Sequence, residues 1–369
     1  VSDLCTPILQ FGTSRFLQAH AALFMSEARV PRAITVVQSS GDPARSGRLA
    51  ALAAPEGYPV ILRGLQDGQP MTEDVRVTSV RRALSTATDW AEITRVFCDE
   101  AEVVISNTSD AGWQAQAADL SPIPQQDTSF PAKLFHLLAA RHARGARPLT
   151  IMPLELLSQN GQALKARVLE IGRGIGASPA LLDWIAGLPF ADSLVDRIVS
   201  EPLAPAGAVA EPYALWAIAA GPGISLPCEH PAVQMVADLE QVERLKLHIL
   251  NLGHTVLADL WQIAGARPEA LAREAMAGRD GETLRRIYAE EVLPGFASKG
   301  MGSEAEAYLA TTLDRFANPF LDHRIADIAQ NHAQKCDRRI AAFRRWIGPD
   351  AHPMPGLDAV LMRAGRELA

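Results

Sequence analysis

Lys246, Asn251 and His254 occur in one short run, Lys246-Leu-His-Ile-Leu-Asn251-Leu-Gly-His254. At about 100° per residue on an α-helix, Asn251 lies about 140° and His254 about 80° round from Lys246. The three polar side chains therefore share a sector. Leu245, Ile249, Leu252 and Val256 fill another, at the spacing of a core-facing stripe. Lys, Asn and His on one helix face have the parts for acid–base chemistry on a hydroxyl. Lysine serves as the base if burial lowers its pKa, and Asn and His hold the oxygen by hydrogen bonds. The competing reading is a solvated polar face on an amphipathic helix.

Such a helix needs a scaffold. The chain has 369 residues, enough for two domains. Its net charge of −7 argues against a nucleic-acid partner. No apolar run has the length of a membrane span, and no leader is expected. Cys5, Cys98, Cys228 and Cys336 are scattered, with no CxxC and no metal-ligand spacing. They read as free thiols in a reducing cytoplasm, and no metal is expected.

Strand-like runs alternate with helical patterns in the first half. Pro7–Gly12, Ala33–Gln38, Val103–Thr108 and Leu149–Glu155 are expected strands, with helices around 17–28, 88–99 and 130–143. Tyr58–Gly64 and Val75–Val80 form an expected extra strand pair split by Asp67-Gly68, and Leu194–Val199 a late strand. Residues 201–230, rich in Pro, Ala and Gly, read as a crossover. From about 232 the pattern is helical, interrupted by Pro268, Pro294 and Pro319. The fold class is therefore α/β. A Rossmann-like N-terminal domain with a mainly parallel sheet (1–230) precedes an all-helical C-terminal domain (231–369).

Gly12-Thr13-Ser14-Arg15-Phe16-Leu17 sits where the first strand meets the first helix, the place where a dinucleotide pyrophosphate meets backbone N–H groups. It is a degenerate G-x-G-x-x-G in which only Gly12 survives. The second strand ends at Gln38-Ser39-Ser40, with no acid at its tip to bind a ribose hydroxyl. Arg45 and Arg48 follow and would suit the 2′-phosphate of NADP.

These pieces resemble the polyol-specific long-chain dehydrogenase family. Gly12-Thr-Ser-Arg-Phe16-Leu-Gln-Ala-His20 looks like its opening turn, and Pro153-Leu-Glu155 with Asn160-Gly161 looks like a second family segment. Ser193-Leu-Val-Asp196-Arg197-Ile198 looks like a third, and Lys246, Asn251 and His254 stand in the family's K-x4-N-x2-H signature. Within the family, Tyr58 with Leu62-Arg63-Gly64, Ile105–Thr108, Ser129-Phe-Pro131 and Arg315-Phe-Ala-Asn318-Pro319 look most like the tagaturonate reductases. Leu156 departs from the mannitol enzymes, which carry Asn there. Only Gln334 and Lys335 match their R-D-G-S-Q-K run, where this chain has Gln330-Asn331-His332-Ala-Gln-Lys335.

The resemblance implies an NAD(P)-dependent oxidoreductase that interconverts a secondary alcohol and a ketone on an altronate/tagaturonate-like sugar acid. The alternatives are a polyol dehydrogenase and a catalytically silent metabolite-binding member. Lys246 is the expected acid/base, with Asn251 and His254 on the reacting oxygen. Gly12, Thr13, Ser14, Arg15, Phe16, Gln38, Asn107 and Thr108 are expected to bind the cofactor, NAD rather than NADP. Asp196, Glu155 and Lys335 are expected at the substrate, Lys335 meeting its carboxylate. His20 and Phe16 are expected to pack the turn. The sequence leaves the oligomeric state open.

Overall fold

The computed structural model describes residues 5–43, 46–348 and 352–366. Arg45, one candidate for a 2′-phosphate, lies outside the described residues. Twelve strands occur among the described residues: β1 (Ile8–Phe11), β2 (Ile34–Gln38), β3 (Tyr58–Gln66), β4 (Gln69–Val77), β5 (Val80–Ser85), β6 (Val103–Ser106), β7 (Thr150–Pro153), β8 (Ser193–Asp196), β9 (Val199–Pro202), β10 (Ala208–Ala210), β11 (Leu215–Ala219) and β12 (Val233–Val236).

The first five-stranded sheet runs β5-β2-β1-β6-β7, and its paired strands are all parallel. β1, β2, β6 and β7 are buried along their whole length, as expected for a sheet covered on both faces. Leu9, Phe11, Val104 and Ile151 pack with Phe97, Leu134, Leu138, Val168 and Ile171 from the covering helices. The helix Phe130–Ala143 starts where Ser129 accepts from the Ala132 N–H, with Pro131 in its first turn. Strand order reverses between β1 and β6, so the crevice at their carboxyl ends is the switch point where such sheets bind ligands.

Contacts divide the chain into two units. The first comprises residues 1–62, 73–210 and 214–239; the second comprises 63–72, 211–213 and 240–369. The second is mainly helical and has its own core, in which Ile249, Leu252 and Val256 pack with Leu284, Tyr288, Phe296, Phe343 and Leu361. Among the described residues, no helix is long and apolar enough to cross a membrane.

Several local expectations are corrected. The strand pair is β3 with β4, turning at Asp67-Gly68, and the expected strand Val75–Val80 straddles two elements. Its end, Val80, opens β5, an edge strand of the parallel sheet. Leu194–Val199 is also two strands, β8 and β9, in different sheets. Between them Arg197 is buried and donates to the Ala19 carbonyl at 2.6 Å. The supposed crossover contains β10 and β11, and β12 precedes the helical region. These strands are only three to five residues long. Such segments carry too little periodicity to separate from loop, and their pairing partners decide them.

Beneath the sheet, Arg141 is 2% exposed and donates to the carbonyls of Arg147, Ala101 and Pro148 at 2.9, 2.9 and 2.7 Å, and to that of Phe97. Burial pushes its guanidinium down to about 10. Replacement by alanine strands these acceptors in a dry interior. Arg141→Ala is expected to lower the unfolding free energy by roughly 3 kcal/mol or more. Urea denaturation checks it, and a loss below about 1 kcal/mol would contradict this account.

Candidate active site

One group of candidate residues lies at the carboxyl edge of the parallel sheet. Gly12 N–H donates to the Val37 carbonyl at 2.9 Å, and the chain then turns with Gly12 at φ 116°. A Cβ here would lie 2.5 Å from the Asn107 carbonyl oxygen, so only glycine lets the turns after β1 and β6 approach this closely. Thr13, Ser14, Arg15 and Phe16 follow. Ser14 caps the short helix Arg15–Gln18 by accepting from the Leu17 N–H. The helix breaks at Ala19-His20 before continuing as Ala21–Glu27, because the Ala19 carbonyl turns to Arg197. His20 is buried, stacks on Phe16 at 4.6 Å and holds the Leu215 carbonyl at 3.0 Å. Burial lowers its pKa to about 3, so it is a neutral packing group at working pH.

At the tip of β2 the Gln38 side-chain amide donates to the Asp42 carbonyl at 2.9 Å. Asp42 is an acid just beyond the tip that attention to Gln38-Ser39-Ser40 passes over. Arg48 lies in the helix Ser46–Leu52.

Asn107 and Thr108 follow β6. The Asn107 amide donates to the Leu154 carbonyl at 2.8 Å. The buried Glu155 carboxylate accepts from the Thr108 N–H at 3.0 Å and from the Ser106 hydroxyl at 3.0 Å. Glu155 thus organises the turn after β6, and the structure places its carboxylate on that turn. Asn160 ties the same region to β8 through the Glu155 and Ser193 carbonyls, each at 2.9 Å. Asp196 is buried at the end of β8, opposite Leu215. Leu156 is 82% exposed.

A separate group of candidate residues lies in the helical unit. Lys246–Asn251 is not α-helical but a π-turn, continued by the α-helix Leu252–Ile263. Its mark is the Leu252 N–H, which is shared between the Ile249 and Leu247 carbonyls. An i→i+5 turn holds more residues than an α-turn, so Asn251 lies closer in angle to Lys246 than the about 140° of α geometry. Lys246 and Asn251 are half-buried and His254 is 9% exposed.

The turn is clamped from outside. His248 Nδ1 pairs with the Arg339 carbonyl at 2.9 Å, and Arg339 donates to the Asn251 carbonyl at 3.2 Å and to the Thr255 hydroxyl at 3.0 Å. Burial brings the His248 imidazole down to about 4, so the clamp works neutral. Arg339 is therefore a strut of the turn.

His254 packs against the Phe316 ring at 4.4 Å and edge-on against His323 at 5.0 Å. Burial lowers the His323 pKa, with the Asp327 charge opposing and the Lys335 charge adding to the shift. The Lys335 ammonium donates to the Ile328 carbonyl at 2.7 Å, and burial followed by the Arg339 charge lowers its pKa. Sequence reasoning missed His323. The only signal was a histidine shortly after Arg315-Phe-Ala-Asn318-Pro319, the segment that resembles the tagaturonate reductases.

Comparison with known proteins decides the family. The description "Mannitol dehydrogenase Rossmann domain" fits residues 6–223, and "Mannitol dehydrogenase C-terminal domain" fits residues 238–350. The chain belongs to the mannitol dehydrogenase family. Membership makes it an oxidoreductase acting on CH–OH groups. Altronate oxidoreductase of Halalkalibacterium halodurans is 28% identical over 370 residues, covering 92% of this chain and 70% of that protein. The altronate oxidoreductase of Pectobacterium carotovorum is 30% identical over 365 residues, covering 90% and 72%.

Two solved structures share the fold. D-sorbitol dehydrogenase in substrate-free form matches with a TM-score of 0.77 at 21% identity, over 91% of this chain and 75% of that one. Mannitol 2-dehydrogenase of Pseudomonas fluorescens, a ternary complex with NAD and D-mannitol, matches with 0.71 at 18% identity, over 99% and 77%.

Burial raises the Glu155 pKa above the ordinary carboxylate range against the pull of the Thr108 N–H and the Ser106 hydroxyl. The folded protein then holds this proton more tightly than the unfolded chain. Its contribution to stability is complete below the unfolded value of about 4.3 and is lost as pH rises through the folded value. Glu155→Gln keeps an acceptor for Thr108 and removes the buried charge. The variant is expected to be at least as stable as the parent at neutral pH, with a flatter stability profile above pH ~4. Urea unfolding across that range checks it, and a steeper profile in the variant would refute the assignment.

Proposed function

We propose that the chain interconverts a secondary alcohol and a ketone on a sugar acid of the altronate/tagaturonate kind, with NAD as the hydride carrier. The observation that carries this is the π-turn on which Lys246 and Asn251 both lie, followed one turn later by His254 packed against His323.

In this reading the Lys246 amine takes the proton of the substrate hydroxyl during oxidation and returns it to the forming alkoxide during reduction. The Asn251 amide donates to the developing oxyanion. His254, fixed between Phe316 and His323, holds the same or the neighbouring hydroxyl. Lys335 pairs with the far carboxylate, which an ammonium suits better than it suits a neutral CH₂OH. Asp196 binds a substrate hydroxyl.

The turn formed by Gly12, Thr13, Ser14, Arg15 and Phe16 fits a dinucleotide, because it joins the first strand to a helix N-terminus at the switch point, where a pyrophosphate meets backbone N–H groups. Gln38, Asn107 and Thr108 border that turn, and bound NAD supplies hydride acceptance. Glu155 acts here by ordering Thr108. Asp42 in the turn after β2 favours NAD over NADP, since a carboxylate there opposes a 2′-phosphate.

Lys246→Ala is expected to lower kcat by about a thousandfold with NAD affinity within twofold, and near-normal turnover would sink the assignment. In a kinetic screen, aldonates and keto-uronates should exceed the matching neutral alditols and ketoses in kcat/KM. Lys335→Ala should narrow that gap at least tenfold by raising KM for the acids. Neutral polyols outperforming every acid would leave a polyol dehydrogenase, and a large preference for NADP would reject the cofactor choice.

A further inference from the structure

Tyr288 opens a second π-turn, Tyr288–Val292, and is 1% exposed. Its hydroxyl donates to the Ile249 carbonyl at 2.7 Å. Ile249 stands in the middle of the Lys246–Asn251 turn, where carbonyls are displaced from the regular α-ladder. A phenylalanine would fill the same volume, so only the hydroxyl distinguishes this residue from packing.

The approach also depends on the residue opposite. Residue 253 is glycine, and a Cβ there would overlap the Tyr288 hydroxyl and lie 2.9 Å from the Phe316 ring. Two positions far apart in sequence are thus matched to one contact on the turn that carries Lys246 and Asn251. The outer clamp formed by His248 and Arg339 holds that turn from Asn251 onward. The phenol holds its middle. Burial keeps Tyr288 a protonated donor well beyond any working pH.

We propose that Tyr288 is a positioning residue, which through the Ile249 carbonyl, in the space left by Gly253, holds the π register that brings Asn251 round toward Lys246. The inference rests on the reading of Lys246 as the proton-transfer group. Without the hydroxyl, the turn loses the donor at its centre and relaxes toward α geometry, which swings Asn251 away from Lys246.

The test is a double-mutant cycle of Tyr288→Phe and Gly253→Ala, read in steady-state kinetics, with Leu361→Ala as a control elsewhere in the same core. Each of the first two variants should lose at least tenfold in kcat and shift the pH dependence of oxidation, while KM for NAD stays within twofold. The double variant should be no worse than the poorer single one, because both changes break one contact. Leu361→Ala should lower thermal stability while keeping kcat and the pH profile, assayed where it is folded. Wild-type kcat and pH profile in either Tyr288→Phe or Gly253→Ala overturns the proposal, as does full additivity. Either single variant suffices if the other does not fold. Lys246→Ala separates the two claims: if it is inactive and Tyr288→Phe is normal, this inference alone fails. If Lys246→Ala is active, the underlying site reading fails.

Discussion

The displaced hydrogen bond from the Leu252 N–H to the Leu247 carbonyl sets the register of the helical unit's signature segment. One extra residue enters the turn, and every side chain before it is re-aimed relative to those after it. Lys246 and Asn251 would diverge on a regular helix, whereas the wider turn brings them closer in angle. An α-helix does not accept such an insertion freely, since each misplaced carbonyl in a dry core needs another donor. The surrounding helices supply them. Tyr288 serves Ile249, and Arg339 serves Asn251. Much of the packing in this unit follows from keeping those two donors in place. Gly253 yields its side chain to the phenol, and His248 fixes the strut through the Arg339 carbonyl.

The nucleotide-binding unit solves a comparable problem by close approach. The turns after β1 and β6 meet across the point where strand order reverses, and Gly12 removes the one atom that would hold them apart. The second turn is held from beneath by Glu155, a carboxylate kept in a poorly solvated place because it satisfies the Thr108 N–H and the Ser106 hydroxyl together. Buried polar groups of this kind add little net stability, but misplacing them is costly, so they specify one arrangement of the loop. Arg141 does the same below the sheet by gathering carbonyls from two separate segments, around Phe97–Ala101 and at Arg147-Pro148.

The titratable groups fall into two kinds. His20 and His248 are driven neutral by burial and serve as fixed hydrogen-bonding and packing groups. His323 and Lys335 are lowered first by burial and then feel neighbouring charge, Asp327 and Lys335 acting in opposite senses on His323 and Arg339 lowering Lys335. A cation set beside another, as Lys335 is near Arg339, suits an anionic partner.

The parallel sheet, the glycine turn, the apolar stripe of the helix that follows Lys246 and the family signature were all legible in the sequence. Each is a local matter: alternation of strand and helix patterns, a residue type at a turn, or a period along one helix. The stripe of Ile249, Leu252 and Val256 is buried as that period requires. The short strands β10, β11 and β12 were not legible, because three to five residues become a strand only when a neighbour pairs with them. Nor was the link between His254 and His323, which are brought together by packing of separate helices and loops. The π-turn shows the division most clearly. Sequence alone named Lys246, Asn251 and His254, but assigned them α-helical angles, since nothing in residues 246–254 encodes an i→i+5 register. That register depends on a donor thirty-nine residues further along the chain, and only the folded core brings the Tyr288 hydroxyl to the Ile249 carbonyl.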